Sequence, residues 1–400
     1  MCMSPKRILI TSLAAAVGCF SVLHSAATVI SKANPSAAYR LMPYDGRIAA
    51  EAAWEGFSLN PQHSSKSKSY RLAIDALKMD ATSVKAVNVL ATHAQLKGQG
   101  TWAEQLFGFS AALSRRELAP QLWEIKDSVA RGDIKRALIN FDMALRTSKS
   151  ARRLLFPVLA GALKEPRIRT ELIELLKRQP EWASLFIPSL PGSRDVEPVD
   201  VAAFYTEASR EGFPIGSSLR NRTVDALVAK GYLVEGWKYY ASMRSGVSPS
   251  HSRDPNFQFT EERPSLFDWK FPENSGVFIS VVRDNGGNFV DFQVSPSHRG
   301  VAMVQRQVLP SGVYTLSGTI RDVGQSAGLE PFWVLACDQG QELGRVSIPT
   351  PTHGISSFNG EFTVPDGCPL QSLSFVLPMQ DRIAGLSGAV TRVVLEPKVQ

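Results

Sequence analysis

The sequence predicts a multidomain chain that is α first and β second. It reads as an N-terminal transmembrane helix, an α-helical solenoid and a C-terminal antiparallel β-sandwich of the jelly-roll type. Three observations carry this. Residues 8–30, ILITSLAAAVGCFSVLHSAATVI, hold 23 positions without Asp, Glu, Lys or Arg, which is enough for a helix to cross a bilayer. From about 47 to 245 apolar residues recur at three and four, as in AIDALKMDA (73–81) and LLFPVLAGAL (154–163), the period of a helix with one buried face. From about 264 onward the period changes to two and Gly and Pro fall at hairpin distances, as in an all-β domain.

The apolar segment follows Lys6 and Arg7, and positive residues on that side predict a cytoplasmic N-terminus with the bulk exported. The expectation is a single-pass signal anchor over 1–32 in a bacterial inner membrane, with the rest in the periplasm. Two other fates remain open. Small residues in HSAAT (24–28) suit a signal peptidase, and AVGC (16–19) loosely resembles a lipobox with Cys19 as the lipidated residue. The cysteines fit export. Cys2 and Cys19 lie in the targeting segment, leaving Cys337 and Cys368, which are expected to pair in an oxidising compartment. Closing that loop is worth roughly 3–4 kcal/mol in the chain-entropy model.

Residues 33–46 read as a linker and 47–245 as the helical part. Gly98 and Gly132 stand 34 residues apart, as do Ala103 and Ala137, Phe107 and Phe141, and Ser110 and Ala144. This is the length of a tetratricopeptide-type helix–turn–helix unit. In the first unit Leu90, Ala91 and Ala94 occupy its small and apolar sites, and Gly98 its turn. The second unit departs from the pattern where Glu124 and Ile125 stand, and beyond 150 the register is lost. The reading is therefore a degenerate tetratricopeptide-like solenoid of about five to six hairpins, a class that binds proteins in a concave groove.

MRSGVSPSHSRDPNFQF (243–259) has no helical period, and 246–263 is taken as a linker. In 264–400 nine strands are expected, at 277–283, 289–295, 301–309, 313–321, 332–338, 343–348, 358–364, 370–377 and 389–396. DNGG (284–287) reads as a turn. Charge is uneven: 246–400 has 11 Lys+Arg and 15 Asp+Glu, leaving 33 and 22 in 1–245. No basic run is interleaved with aromatics, so no nucleic-acid partner is expected. The six histidines are scattered and no GxSxG, P-loop or GxGxxG appears. A non-enzymatic protein without cofactor or metal is expected, the alternatives being a carbohydrate-active enzyme with dispersed carboxylates or a pure protein scaffold.

Three patches resemble a known family: SLFDWKF (265–271), RQVLPSGVYTLSGTIRD (306–322), and FWVLACD with VPDGCPLQSLSF (332–338 and 364–375). Together they are similar to the C-terminal module of exported, tetratricopeptide-like bacterial proteins that accompany exopolysaccharide assembly genes. The middle patch also looks like jelly-roll carbohydrate-binding modules. The resemblance implies an accessory role in polysaccharide assembly or export, with envelope or export proteins, and polysaccharide, as partners.

Strand alternation places Trp333, Leu335 and Cys337 on one face, and both faces of that strand are apolar. Trp333 and Tyr314 are therefore assigned to the core. A sugar site is sought instead at Trp269, between Asp268 and Lys270, and at Gln305, Arg306 and Gln307, polar on both faces of a strand.

Overall fold

A computed structural model describes residues 5–60, 67–259, 261–284, 287–324, 330–350, 353–379 and 385–398. The centre of the DNGG turn and Cys2 lie outside them. The chain divides into two compact units, Met1–Leu159 with Glu165–Phe186, and Ala160–Lys164 with Ile187–Gln400.

The first unit is helical: α1 Pro5–Ile30, α2 Pro35–Leu41, α3 Gly46–Leu59, α4 Lys68–Met79, α5 Val84–Leu96, α6 Gly100–Leu113, α7 Leu118–Ala130, α8 Ile134–Thr147, α9 Ala151–Gly161, α10 Pro166–Leu176 and α11 Ala183–Ser189, the last running past its end. Helix starts are set by side chains that accept otherwise orphaned N–H groups, Asp45 for α3, Ser67 for α4 and Asp133 for α8. Within α1, Ser12–Ile30 has a mean hydropathy of 1.8 and is long and apolar enough to span a membrane.

The 34-residue spacing has a backbone cause. Gly98 and Gly132 end α5 and α7 at φ +74° and +73°, a region that costs side-chain-bearing residues. The residue after each donates back to the preceding helix, Gln99 to Ala94 O at 3.0 Å and Asp133 to Ser128 O at 2.9 Å. The chain then reverses into α6 and α8. Ala91, Ala94, Ala103 and Phe107 are buried together, with Leu90 half-buried. Ala137, Phe141 and Ala144 are buried likewise on α8. Alanines let each pair approach closely, and Phe107 stacks on Trp123 of α7 at 5.5 Å.

The second unit holds α12 Pro198–Arg210, α13 Ser217–Ala229 and α14 Leu233–Ser242, then, among the described residues, nine strands: β1 Val277–Asp284, β2 Gly287–Val294, β3 Gly300–Gln307, β4 Gly312–Arg321, β5 Phe332–Cys337, β6 Glu342–Ser347, β7 Ile355–Val364, β8 Gln371–Leu377 and β9 Leu386–Pro397. They form two antiparallel sheets, β1-β2-β9-β4-β7 and β3-β8-β5-β6. All nine expected strands are present within a few residues of their expected ends. Trp333 is fully buried between the sheets, 4.9 Å from Phe375 and 6.2 Å from Phe358, and Tyr314 is buried in the same core. β5 lies between β8 and β6, but only one of its faces is fully covered: Phe332, Val334 and Ala336 are half-buried on the outside. Cys337 and Cys368 are joined in a disulfide.

Two expectations fail here. Residues 33–46, read as a linker, hold α2, and Ala38 and Met42 are buried in a small apolar cluster. The second stretch read as a linker, 246–263, is packed into the sandwich. Phe257 is 2% exposed in the core and Arg253 is 3% exposed. Ser252 N donates to Leu395 O at 2.8 Å, and Val393 N to Pro255 O at 3.0 Å. The helices of this unit are tied to the chain that follows, 265–270. Tyr240 of α14 donates to Asp268 at 2.7 Å, and Asp225 of α13 accepts from Leu266 N at 2.6 Å and Lys270 Nζ at 3.0 Å. Division by compactness thus falls near 187, well before the 246–263 stretch.

Candidate functional site

The four residues singled out for sugar contact do not form a surface. Trp269 is 5% exposed. Its Nε1 donates to Asp254 O at 3.1 Å, and its ring meets Trp333 edge-on at 5.8 Å and Phe257 at 5.8 Å. Gln305 and Gln307 are fully buried and serve Arg253. The Arg253 backbone N–H donates to Gln305 Oε1 at 3.1 Å, its Nη1 to Gln307 Oε1 at 2.6 Å, and Gln307 Nε2 to Gln305 Oε1 at 2.8 Å. Arg306 alone points outward, on the four-stranded sheet, where Ser372 (2.7 Å) and Asp338 (2.6 Å) hold it. The expected open polar strand is corrected: its glutamines face a buried guanidinium. The guanidinium lies over the Trp237 and Phe267 rings at 5.5 and 5.7 Å, and burial pushes its pKa down to about 10.

A different surface gathers the required groups. On the five-stranded sheet the even residues of β1 and the odd residues of β2 point away from the core, because Val290, Phe292 and Val294 fill its other face. Register then builds two rows across the strands. Phe278 lies beside Gln293, which lies beside Ser387. Ser280 is followed by Asp291, Ala389 and Arg321 across β1, β2, β9 and β4. Phe278 is 61% exposed. The small side chains of Ser387 and Ala389 leave a depression between the aromatic wall and Arg321 with Asp322, a cavity of about 470 Å³.

The polar wall is held in place. The Arg321 guanidinium lies over the Phe289 ring at 4.2 Å, and its Nε is 3.9 Å from Asp322 Oδ2. Asp322 adopts φ +48°, a conformation Asp tolerates better than most residues. Its N–H donates to Gly354 O at 3.1 Å, and its Oδ1 accepts from Gly354 N at 2.9 Å. The depression thus offers a flat apolar ring, carboxylate acceptors, a bifunctional amide and a guanidinium donor. That set suits an uncharged, hydroxyl-rich ligand with apolar C–H faces. Two carboxylates against one cation disfavour an anionic one.

No family model matches the chain, and no curated protein matches it. Solved structures do resemble its β-sandwich. The enzymatically active domain of tailspike protein 4 of bacteriophage CBA120 is 15% identical over 38% of this chain, with a TM-score of 0.27, and the chain spans only 22% of that tailspike chain. The module TmCBM61, solved with β-1,4-galactotriose, is 17% identical, with 33% of this chain and 90% of the module covered and a TM-score of 0.25. A CBM4 carbohydrate-binding module is 13% identical, with 38% and 100% covered and a TM-score of 0.28. The β-sandwich is similar to carbohydrate-binding modules.

Proposed function

We propose that the outer face of the five-stranded sheet binds a neutral polysaccharide, and that the chain is a non-enzymatic envelope adaptor in exopolysaccharide assembly or export. The observation that carries this is the exposed Phe278 ring, with Gln293 in its row, beside the row of Asp291 and Arg321 that crosses a depression of about 470 Å³. The row crosses four strands, a length of about 14 Å, so a short run of sugar units would lie across the strands. The apolar α1 helix and the Cys337–Cys368 disulfide support export, with the chain tethered to the inner membrane and its bulk in the periplasm. The 34-residue helical hairpins support a tetratricopeptide-like solenoid that holds a protein of the export machinery.

The test is electrophoresis of the detergent-solubilised chain through gels carrying single soluble polysaccharides. Retardation by at least one neutral polymer is expected, reduced severalfold in Asp291→Ala, which removes an acceptor at the centre of the row. Equal mobility with and without every polymer tested would overturn the binding claim. Release of reducing sugar from the retaining polymer would overturn the non-enzymatic one.

A further inference from the structure

We propose that β1 is a homodimerisation edge, pairing antiparallel with β1 of a second copy of this chain. The argument starts from which backbone groups face outward. Ser295 N donates to Gly276 O at 2.8 Å, so Gly276 turns toward β2. Alternation along an unbroken eight-pair register then turns the even residues of β1 toward β2 as well. The odd residues face the open side, as the bond from Val277 N to Asn274 O at 3.2 Å shows. Among the described residues no group pairs with the backbone of Ile279 or Val281 on that side.

The other sheet edges are protected. β3 is covered by the preceding segment: Lys270 and Val304 exchange two backbone bonds of 2.9 Å, and Arg306 N donates to Leu266 O at 3.0 Å. β6 has six residues, a register irregularity and the Arg345–Glu342 ion pair at 3.0 Å. The outward positions of β7 are mostly polar, with Glu361 paired to Lys398 at 2.7 Å. Among the described residues β1 is neither covered by another segment nor interrupted by a register shift. Five of its eight residues are apolar, with no proline, lysine or bulge, a state that exposed edge strands avoid unless they pair. A cleft of about 930 Å³, lined by Phe271, Val281 and Val304 and by the charged Glu261, Glu262, Arg263 and Lys270, opens beside the same edge.

The strand fits itself. An antiparallel mate must match odd residues to odd ones, because only these offer outward N–H and C=O groups. A pair centred on Ser280 sets Ile279 against Val281 of the second copy, both inward and covering the cleft. It sets Phe278 against Val282 of the second copy on the outer face, and Arg283 against Val277, so no like charges oppose. The two-fold axis of such a pair stands perpendicular to the sheet, which puts both copies' Phe278 rings on one side of a ten-stranded sheet.

The test uses the full chain in detergent, with Cys2 and Cys19 replaced by Ser and Ser280→Cys added. In the centred register the two introduced residues form a non-hydrogen-bonded pair with Cα atoms about 4.5 Å apart, within disulfide range. Oxidation is expected to give a covalent dimer in high yield. Val281→Pro removes an edge N–H that β2 does not use. It is expected to turn the dimer seen by light scattering into a monomer with an unchanged circular dichroism spectrum. A monomeric parent chain would overturn the proposal. So would a dimer that forms no Ser280→Cys crosslink, which would mean association through another surface.

Discussion

Replacing Arg253 with methionine is expected to lower the stability of the second unit by about 4 kcal/mol or more. The side chain is 3% exposed, and its guanidinium serves several acceptors at once. Nε donates to Phe267 O at 3.1 Å, Nη1 to His251 O at 3.2 Å and Gln307 Oε1 at 2.6 Å, and Nη2 to Arg306 O. Methionine fills much of the volume and donates nothing. Each acceptor left buried and unpaired costs about 1–3 kcal/mol, and the loss of ring contact with Trp237 and Phe267 adds to this. Arg253→Lys is expected to recover little, because an ammonium is a compact point charge and cannot span the fork of acceptors. Urea unfolding followed by near-UV circular dichroism checks this. A midpoint for Arg253→Met equal to that of the parent would mean that the network does not hold the 252–257 segment against the sandwich.

Phe278→Ala is expected to weaken polysaccharide binding at least about tenfold, equivalent to about 1.4 kcal/mol. The ring is the only large flat apolar group with most of its surface free on that face of the described sheet; Phe289, on the adjacent strand opposite Val282, is already covered by Arg321. Removing it deletes stacking area without touching the core. Stability should therefore change by no more than about 0.5 kcal/mol. Phe278→Trp, which keeps a flat ring, should retain binding. Isothermal titration with the retaining polymer separates the cases: unchanged affinity in Phe278→Ala would remove the ring from the site.

The sandwich was legible because Gly and Pro punctuate its strands and most of them alternate, as β4 and β8 do along their length. The helical hairpins were legible for a related reason, since Gly98 and Gly132 are demanded by a positive φ that recurs with the repeat. The site was misread where polarity had two possible sources. Gln305 and Gln307 share the parity of buried Met303 and look like a wet face, yet they are polar because Arg253, some fifty residues earlier, is buried against them. Trp269 precedes the strands and has no alternation to orient it. Its polar neighbours, Asp268 and Lys270, are engaged by Tyr240 and Asp225 of the helices.

The face that was missed did leave a signal. In VFISVVRD, Phe278 shares parity with Ser280; in GNFVDFQV, Asp291 and Gln293 alternate with Val290 and Phe292. An aromatic in phase with the polar residues of its strand marks a ring on the outer face, exposed at Phe278 and capped by Arg321 at Phe289. What alternation could not supply is the strand order that brings β9 and β4 alongside and adds Arg321 to the row.

The most direct test of the glycan-binding face is hydroxyl-radical footprinting of the chain with and without the polysaccharide that retards it. Phe278, 61% exposed in the free chain, should be oxidised readily and then protected severalfold by the polymer. Phe332, on the outer face of the other sheet beneath Arg345 at 4.0 Å, should be unaffected. Protection of Phe332 with none at Phe278 would contradict the proposed site.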